Sequence, residues 1–127
     1  MIDKITAKIG ETGKTITVIL YETDPVTGLL VPKNLTGYTN IVMQVEHFNG
    51  TVIMNQVPCV AAGNQSVDTG KIVCTTDITV AAHPALVAGD FRLEFSGLND
   101  VGKKRYWPLN AEGDRTYGRF IVQDPLA

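Results

Sequence analysis

The stretch Gly89 to Ser96 reads Gly-Asp-Phe-Arg-Leu-Glu-Phe-Ser, and its alternation constrains the fold more than any other part of the chain. In an extended segment Phe91, Leu93 and Phe95 fall on one face, and Asp90, Arg92, Glu94 and Ser96 on the other. That pattern describes a half-buried antiparallel strand. Three large apolar groups on one side need a second layer to cover them, and the rest of the chain reads as the source of that layer.

Short alternating segments recur on both sides of it. Ile5 to Ile9 predicts a first strand, and Gly10-Glu11-Thr12-Gly13 a turn. Thr15 to Tyr21 is β-branched and predicts a second strand, with Ile16, Val18 and Leu20 inward and Ile19 and Tyr21 on an outer face less polar than water favours. Asp24-Pro25-Val26-Thr27-Gly28 has the residues of a tight turn, followed by a short return at Leu29 to Val31. After the Leu35-Thr36-Gly37-Tyr38 corner, Ile41 to His47 alternates clearly. Asn49-Gly50 then predicts a two-residue type I′ hairpin into Thr51 to Asn55. Pro58 lacks a ladder donor and predicts an edge, a bulge or a strand end.

Ala61 to Gly70 is polar and predicts a mobile loop; Gly70 to Thr75 is another strand. Asp77 to Ala88 is the one place where helix competes, limited to a turn or two by Pro84 and Gly89. Lys103 to Trp107 leads from a loop into a strand-like end, Leu109 to Thr116 reads as loop, and Gly118 to Gln123 as the last strand, with Phe120 and Val122 on the core face. These elements predict an all-β fold: a two-layer antiparallel β-sandwich, immunoglobulin-like, with at most one short helix. No linker or repeat divides residues 1–127, which reads as a single domain.

Composition excludes several function classes. The 127 residues are 44% hydrophobic and 19% charged with a formal net charge of −2, so there is no basic surface for nucleic acid. No segment has the apolar length of a membrane span, and the first residues lack the apolar core of a secretory signal, which predicts synthesis in a cytoplasm. Cys59 and Cys74 are the only cysteines. They can pair if adjacent strands bring them together, or stand as two reduced structural thiols, the plainer reading.

No catalytic motif emerges. His47 and His83 belong to no metal-ligand spacing, alone or with the cysteines. Ser66 and Ser96, the only serines, lie outside any nucleophile elbow, and Asp68, Asp77, Glu94 and Asp114 read as loop and surface carboxylates. Gly10 and Gly13 precede a strand and lack a following Gly-Lys-Ser/Thr, so they are turn residues and not a phosphate loop. Lys103-Lys104-Arg105-Tyr106-Trp107 joins a small positive patch to aromatics, and a solvated loop leading into an aromatic pair is the simpler account. The reading is therefore non-enzymatic, with no metal and no cofactor.

Certain segments appear in a telling order: Gly13 to Leu20, the Asp24 to Gly28 turn, the Leu35 to Tyr38 corner running into Ile41-Val42-Met43-Gln44-Val45, then Gly70-Lys71-Ile72-Val73, Ala88 to Phe95 and Gly118 to Val122. This order resembles the N-terminal immunoglobulin-like module of tailed-phage upper baseplate proteins and related tail and capsid modules. The resemblance implies a bacteriophage virion structural protein, an assembly or decoration module of the tail, baseplate, neck or capsid. Its partners would be phage structural proteins, it would be homo-oligomeric or present in many copies, and it would be located in the virion. Proteins of that family usually continue past the module, whereas this chain stops at Ala127, so the expectation is a small accessory protein.

In that reading Ile19, Tyr21, Tyr106 and Trp107 are the interface candidates, since large apolar and aromatic groups stabilise contacts when desolvated. A core role competes for all four and is favoured for Trp107. The alternative is a carbohydrate- or host-surface-binding sandwich using Tyr38, Asn64, Asn99, Asn110 and Tyr117.

Overall fold

A computed structural model describes residues 4–107 and 118–125. The elements are β1 (Lys4–Lys8), β2 (Lys14–Ile19), β3 (Tyr21–Thr23), β4 (Leu30–Pro32), β5 (Thr39–Glu46), β6 (Val52–Ala61), β7 (Lys71–Thr76), β8 (Gly89–Leu98), β9 (Lys104–Trp107) and β10 (Gly118–Gln123). No helix occurs among the described residues. The segment from Asp77 to Ala88 instead makes turns, closed by the His83 amide on the Thr79 carbonyl and the Leu86 amide on the His83 carbonyl. It drops Ile78 and Leu86 into the core.

The organising strand behaves as its alternation requires. Phe91, Leu93 and Phe95 are buried in β8, which pairs with β5 on one side and with β10 and then β9 on the other. The strand order β1-β10-β8-β5-β6-β7-β2 is one sheet curled back on itself, and β6 makes the corner: Val52 to Pro58 pairs with β5, and Cys59 to Ala61 with β7. One layer is therefore β1, β10, β8, β5 and the first part of β6, with β9 beside β8. The other is the end of β6, β7 and β2, and side chains of both build one core.

Two register slips let β6 turn that corner. Between Met43↔Val57 and Val45↔Met54 the β6 side carries one residue more than β5, and a second slip precedes Glu46↔Val52. Such bulges bend a strand and raise its twist. They also explain why the neighbours Ile53 and Met54 are both buried, against the period of two, and why Gln56 has φ 45°. Pro58 sits just past the bend, where β6 leaves β5.

The arrangement is immunoglobulin-like, with β2, β7 and β6 facing β5, β8 and β10. It departs from a purely antiparallel sandwich in one pairing. β1 runs parallel to β10, Ile5 opposite Phe120, instead of lying beside β2.

Three local expectations need correction. The Thr15 to Tyr21 strand is broken at Leu20, whose amide donates to the Gly70 carbonyl and whose carbonyl accepts from Lys33; Tyr21 begins a separate hairpin with β4. The Asn49-Gly50 turn is not type I′, because only Gly50 has positive φ (95°). The Gly50 amide donates to the His47 carbonyl and the His47 amide to Thr51, a three-residue loop whose last member takes the left-handed conformation. The Ala61 to Gly70 loop, expected to be mobile, is anchored by buried Gln65. Its Oε1 accepts from the Leu35 amide at 3.1 Å and the Gly70 amide at 2.9 Å, while Nε2 donates to the Ala62 carbonyl at 2.8 Å.

Candidate functional site

The two outer faces of the sandwich differ in chemistry. On the β8 layer, Arg119 pairs with Asp90 and Arg92 with Glu46, so the charges alternate and neutralise one another in water. The Arg119 guanidinium beside Asp90 holds that carboxyl below its ordinary value. On the second layer, the outward positions are Thr15, Thr17 and Ile19 of β2, Lys71, Val73 and Thr75 of β7, and Val60 of β6, so Lys71 is the single charge. Ile19 is 41% exposed and Val60 is 71% exposed.

The two ends of the strand order differ as well. β1 carries Lys4 and Lys8, both exposed, and lysines on an edge discourage further pairing. β2 is a six-residue edge in unbroken register with β7, from Lys14↔Thr76 to Ile19↔Lys71. The Leu20 amide bonded to the opposite Gly70 carbonyl fixes the phase of that ladder. Lys14, Ile16 and Val18 then bond toward β7, and Thr15, Thr17 and Ile19 turn their amides and carbonyls to the open side. Lys14 is the edge's only charged residue, and its ammonium is 3.3 Å from Glu11 in the preceding turn.

The four interface candidates sit on three elements and form no common patch. Ile19 belongs to the outer face and open edge just described. Tyr21 is half-buried in β3, opposite Pro32. Tyr106 is half-buried opposite Ser96 on the other layer, with the Lys104 ammonium 5.3 Å from its ring centre. Trp107 is 2% exposed and packs edge-on to Tyr38, centroids 5.5 Å apart, so it is a core residue and its interface role is withdrawn. Thr15 and Thr17, which sequence reasoning passed over, share that outer face and open edge with Ile19. Their signal was a run of β-branched residues with no charge between Lys14 and Leu20.

The polar groups considered for carbohydrate are used locally. The Asn64 side chain accepts from the Ser66 amide and hydroxyl, and the Asn99 side chain from the Val101 and Lys103 amides. Asn110 and Tyr117 lie outside the described residues.

His83 lines a groove of about 350 Å³ with Val52, Ile53, Asn55 and Pro84. Its Nε2 is 2.9 Å from the Thr76 hydroxyl, and burial lowers its pKa against the opposing pull of Asp77. Among the described residues no group of three or more His, Cys, Asp or Glu comes together as a metal site.

No known family model matches the chain, and no curated protein matches it. Among solved structures, CopC from Methylosinus trichosporium OB3b is similar, with 10% sequence identity and a TM-score of 0.45 over 98% of this chain and 86% of that one. The expected bacteriophage virion role is corrected by these findings. The structural similarity found is to CopC and not to a tail, baseplate, neck or capsid protein, and no sequence relative supplies that link.

Proposed function

We propose that this chain is a non-enzymatic protein-recognition domain that joins further β-structure by strand addition along β2, with a second copy of itself as the partner. The observation that carries the reading is the β2 edge, which ends the strand order with no further strand beside it among the described residues. Thr15, Thr17 and Ile19 present their backbone groups outward, with no proline, bulge or outward charge among them. An edge of this kind pairs readily.

A two-fold axis through Thr17 would set Thr17 against its own copy and Thr15 against Ile19, exchanging about six hydrogen bonds. Antiparallel pairing also puts the two Lys14 residues at opposite ends, so the edge's charges do not oppose each other. The neighbouring outer face, with Val60, Val73 and Ile19, would continue across the axis as one lightly charged surface. An interface this small gives weak association, with a dissociation constant on the order of 10 μM.

Sedimentation or native mass spectrometry from about 1 to 300 μM, spanning that constant, tests the reading. The wild type should pass from monomer to dimer. Thr17→Pro should stay monomeric with a nearly unchanged melt, because the amide it deletes points away from β7. A wild type that is monomeric throughout, or a Thr17→Pro variant that still dimerises, would overturn it.

A further inference from the structure

Cys59 and Cys74 are direct partners across β6 and β7. Two independent hydrogen bonds fix the kind of pairing. The Ala62 amide donates to the carbonyl of Lys71, the residue opposite it, which makes that a hydrogen-bonded pair; counting back along the ladder, Val60↔Val73 is hydrogen-bonded and Cys59↔Cys74 is not. From the other side, the Leu20–Gly70 bond makes Ile16↔Cys74 a hydrogen-bonded pair, so Cys74 turns its backbone toward β2 and away from Cys59.

Both routes place the cysteines at a non-hydrogen-bonded site, where opposite Cα atoms approach to about 4.5 Å and side chains are closest. That separation lies inside the range a disulfide spans. The two side chains share the inner face of the second layer. Both are free thiols here, Cys74 buried at 1% exposure and Cys59 half-buried at the end of β6.

We propose that Cys59 and Cys74 form a reversible cross-strand disulfide that locks the end of β6 to β7. The reaction is thiol–disulfide exchange with a small-molecule disulfide such as oxidised glutathione. The Cys59 thiolate, the more accessible, attacks one sulfur of the oxidant, whose S–S bond breaks and releases one thiolate that takes up the proton Cys59 lost. Deprotonated Cys74 then attacks the Cys59 sulfur of the mixed disulfide and expels the second half as a thiolate, which takes up the Cys74 proton. Two protein thiols are oxidised, and the oxidant is reduced to two thiols.

The Cys59 thiol donates to the Val57 carbonyl at 3.5 Å, and Cys74 beside it together with burial holds it above the ordinary thiol value, which slows the first exchange. Once Cys59 is in the mixed disulfide, Cys74 stands directly opposite its sulfur, and that proximity makes closure fast.

The test uses the full-length chain incubated under native conditions with glutathione mixtures of graded oxidised fraction. Samples are quenched in acid, alkylated in denaturant and weighed intact. The expected product is a monomer lighter by two hydrogens that takes up no alkyl group and reverts with reduced glutathione. Cys74→Ser should stop at a single glutathione adduct on Cys59, and Cys59→Ser should take up none while native. Two alkylated cysteines at every ratio, a disulfide-linked dimer, or closure seen only in denaturant would overturn the proposal. Because the wild-type measurement stands alone, a variant that fails to fold does not decide the outcome. Dimerisation through β2 is read separately, so either result can fail without the other.

Discussion

Replacing Gln65 by Leu isolates the cost of orphaning buried backbone groups. Leu is close to Gln in volume, so the pocket stays filled, and the change removes the hydrogen bonds with almost no cavity. The Leu35 and Gly70 amides both donate to Gln65 Oε1 in buried surroundings and would lose their acceptor. The Ala62 carbonyl, partly exposed, recovers a partner from water. Each buried donor left unmet costs about 1–3 kcal/mol. Two of them, less about 1 kcal/mol returned by the added apolar surface, give a net loss of about 3 kcal/mol. For a domain of this size that lowers the melting temperature by about 10 °C. Urea denaturation with an unchanged m-value would measure it directly. A loss below about 0.5 kcal/mol would refute the claim that one side chain holds the Leu35 corner and the Gly70 turn together, since two unmet donors at the low end, about 2 kcal/mol less about 1 kcal/mol returned, still cost more than that.

Phe95→Ala should cost about 3–5 kcal/mol, the loss of a fully buried aromatic plus the cavity it leaves, measured by the same denaturation. Gly70→Ala should destabilise the fold by more than about 1 kcal/mol, because φ is 78° and an added Cβ would lie 2.5 Å from the Leu20 carbonyl oxygen; a neutral result would mean that turn has room to relax. Closing Cys59–Cys74 shuts a loop of about 15 residues and should add about 3 kcal/mol, near 10 °C in a melt run with and without reductant. His83 has a lowered folded-state pKa, so below about pH 6.5 the unfolded chain binds more protons than the folded one. The stability it contributes is complete above that pH and is lost as the pH falls from there through the folded value. His83→Gln should flatten that part of a stability–pH profile.

Much of the fold was legible because alternation is a local signal. The Phe91, Leu93 and Phe95 face, the Ile41, Met43 and Val45 face, and Phe120 with Val122 all lie in the core as their spacing requires. The misreadings fall where a local signal meets a distant partner. Asn49-Gly50 carries the composition of a type I′ turn, but the register of β5 with β6 allows a third loop residue. Gln65 looked like one more polar loop residue, and its partner Leu35 is 30 positions away.

The candidate site was less visible. Ile19 stood out for its outward apolar side chain, yet whether β2 is an edge depends on β1 choosing β10, a tertiary pairing with no mark in β2 itself. The cysteine pair was open from sequence because the bulges in β6 shift its count, and only the observed ladder sets Cys59 opposite Cys74. The phage reading failed for a related reason: turn-plus-alternation segments in this order recur wherever a chain builds a sandwich, so their likeness carries architecture and not origin.

The corner at β6 has a mechanical consequence. Because a single covalent strand serves both layers, a pull applied along β2 passes through the β7 ladder into β6 and on through β5 to the central strand. The cross-strand bonds on that route lie side by side and share the load. The two layers are thus joined by shared backbone as well as by the core, and the β2–β7 ladder is the first link that load entering at the edge must cross.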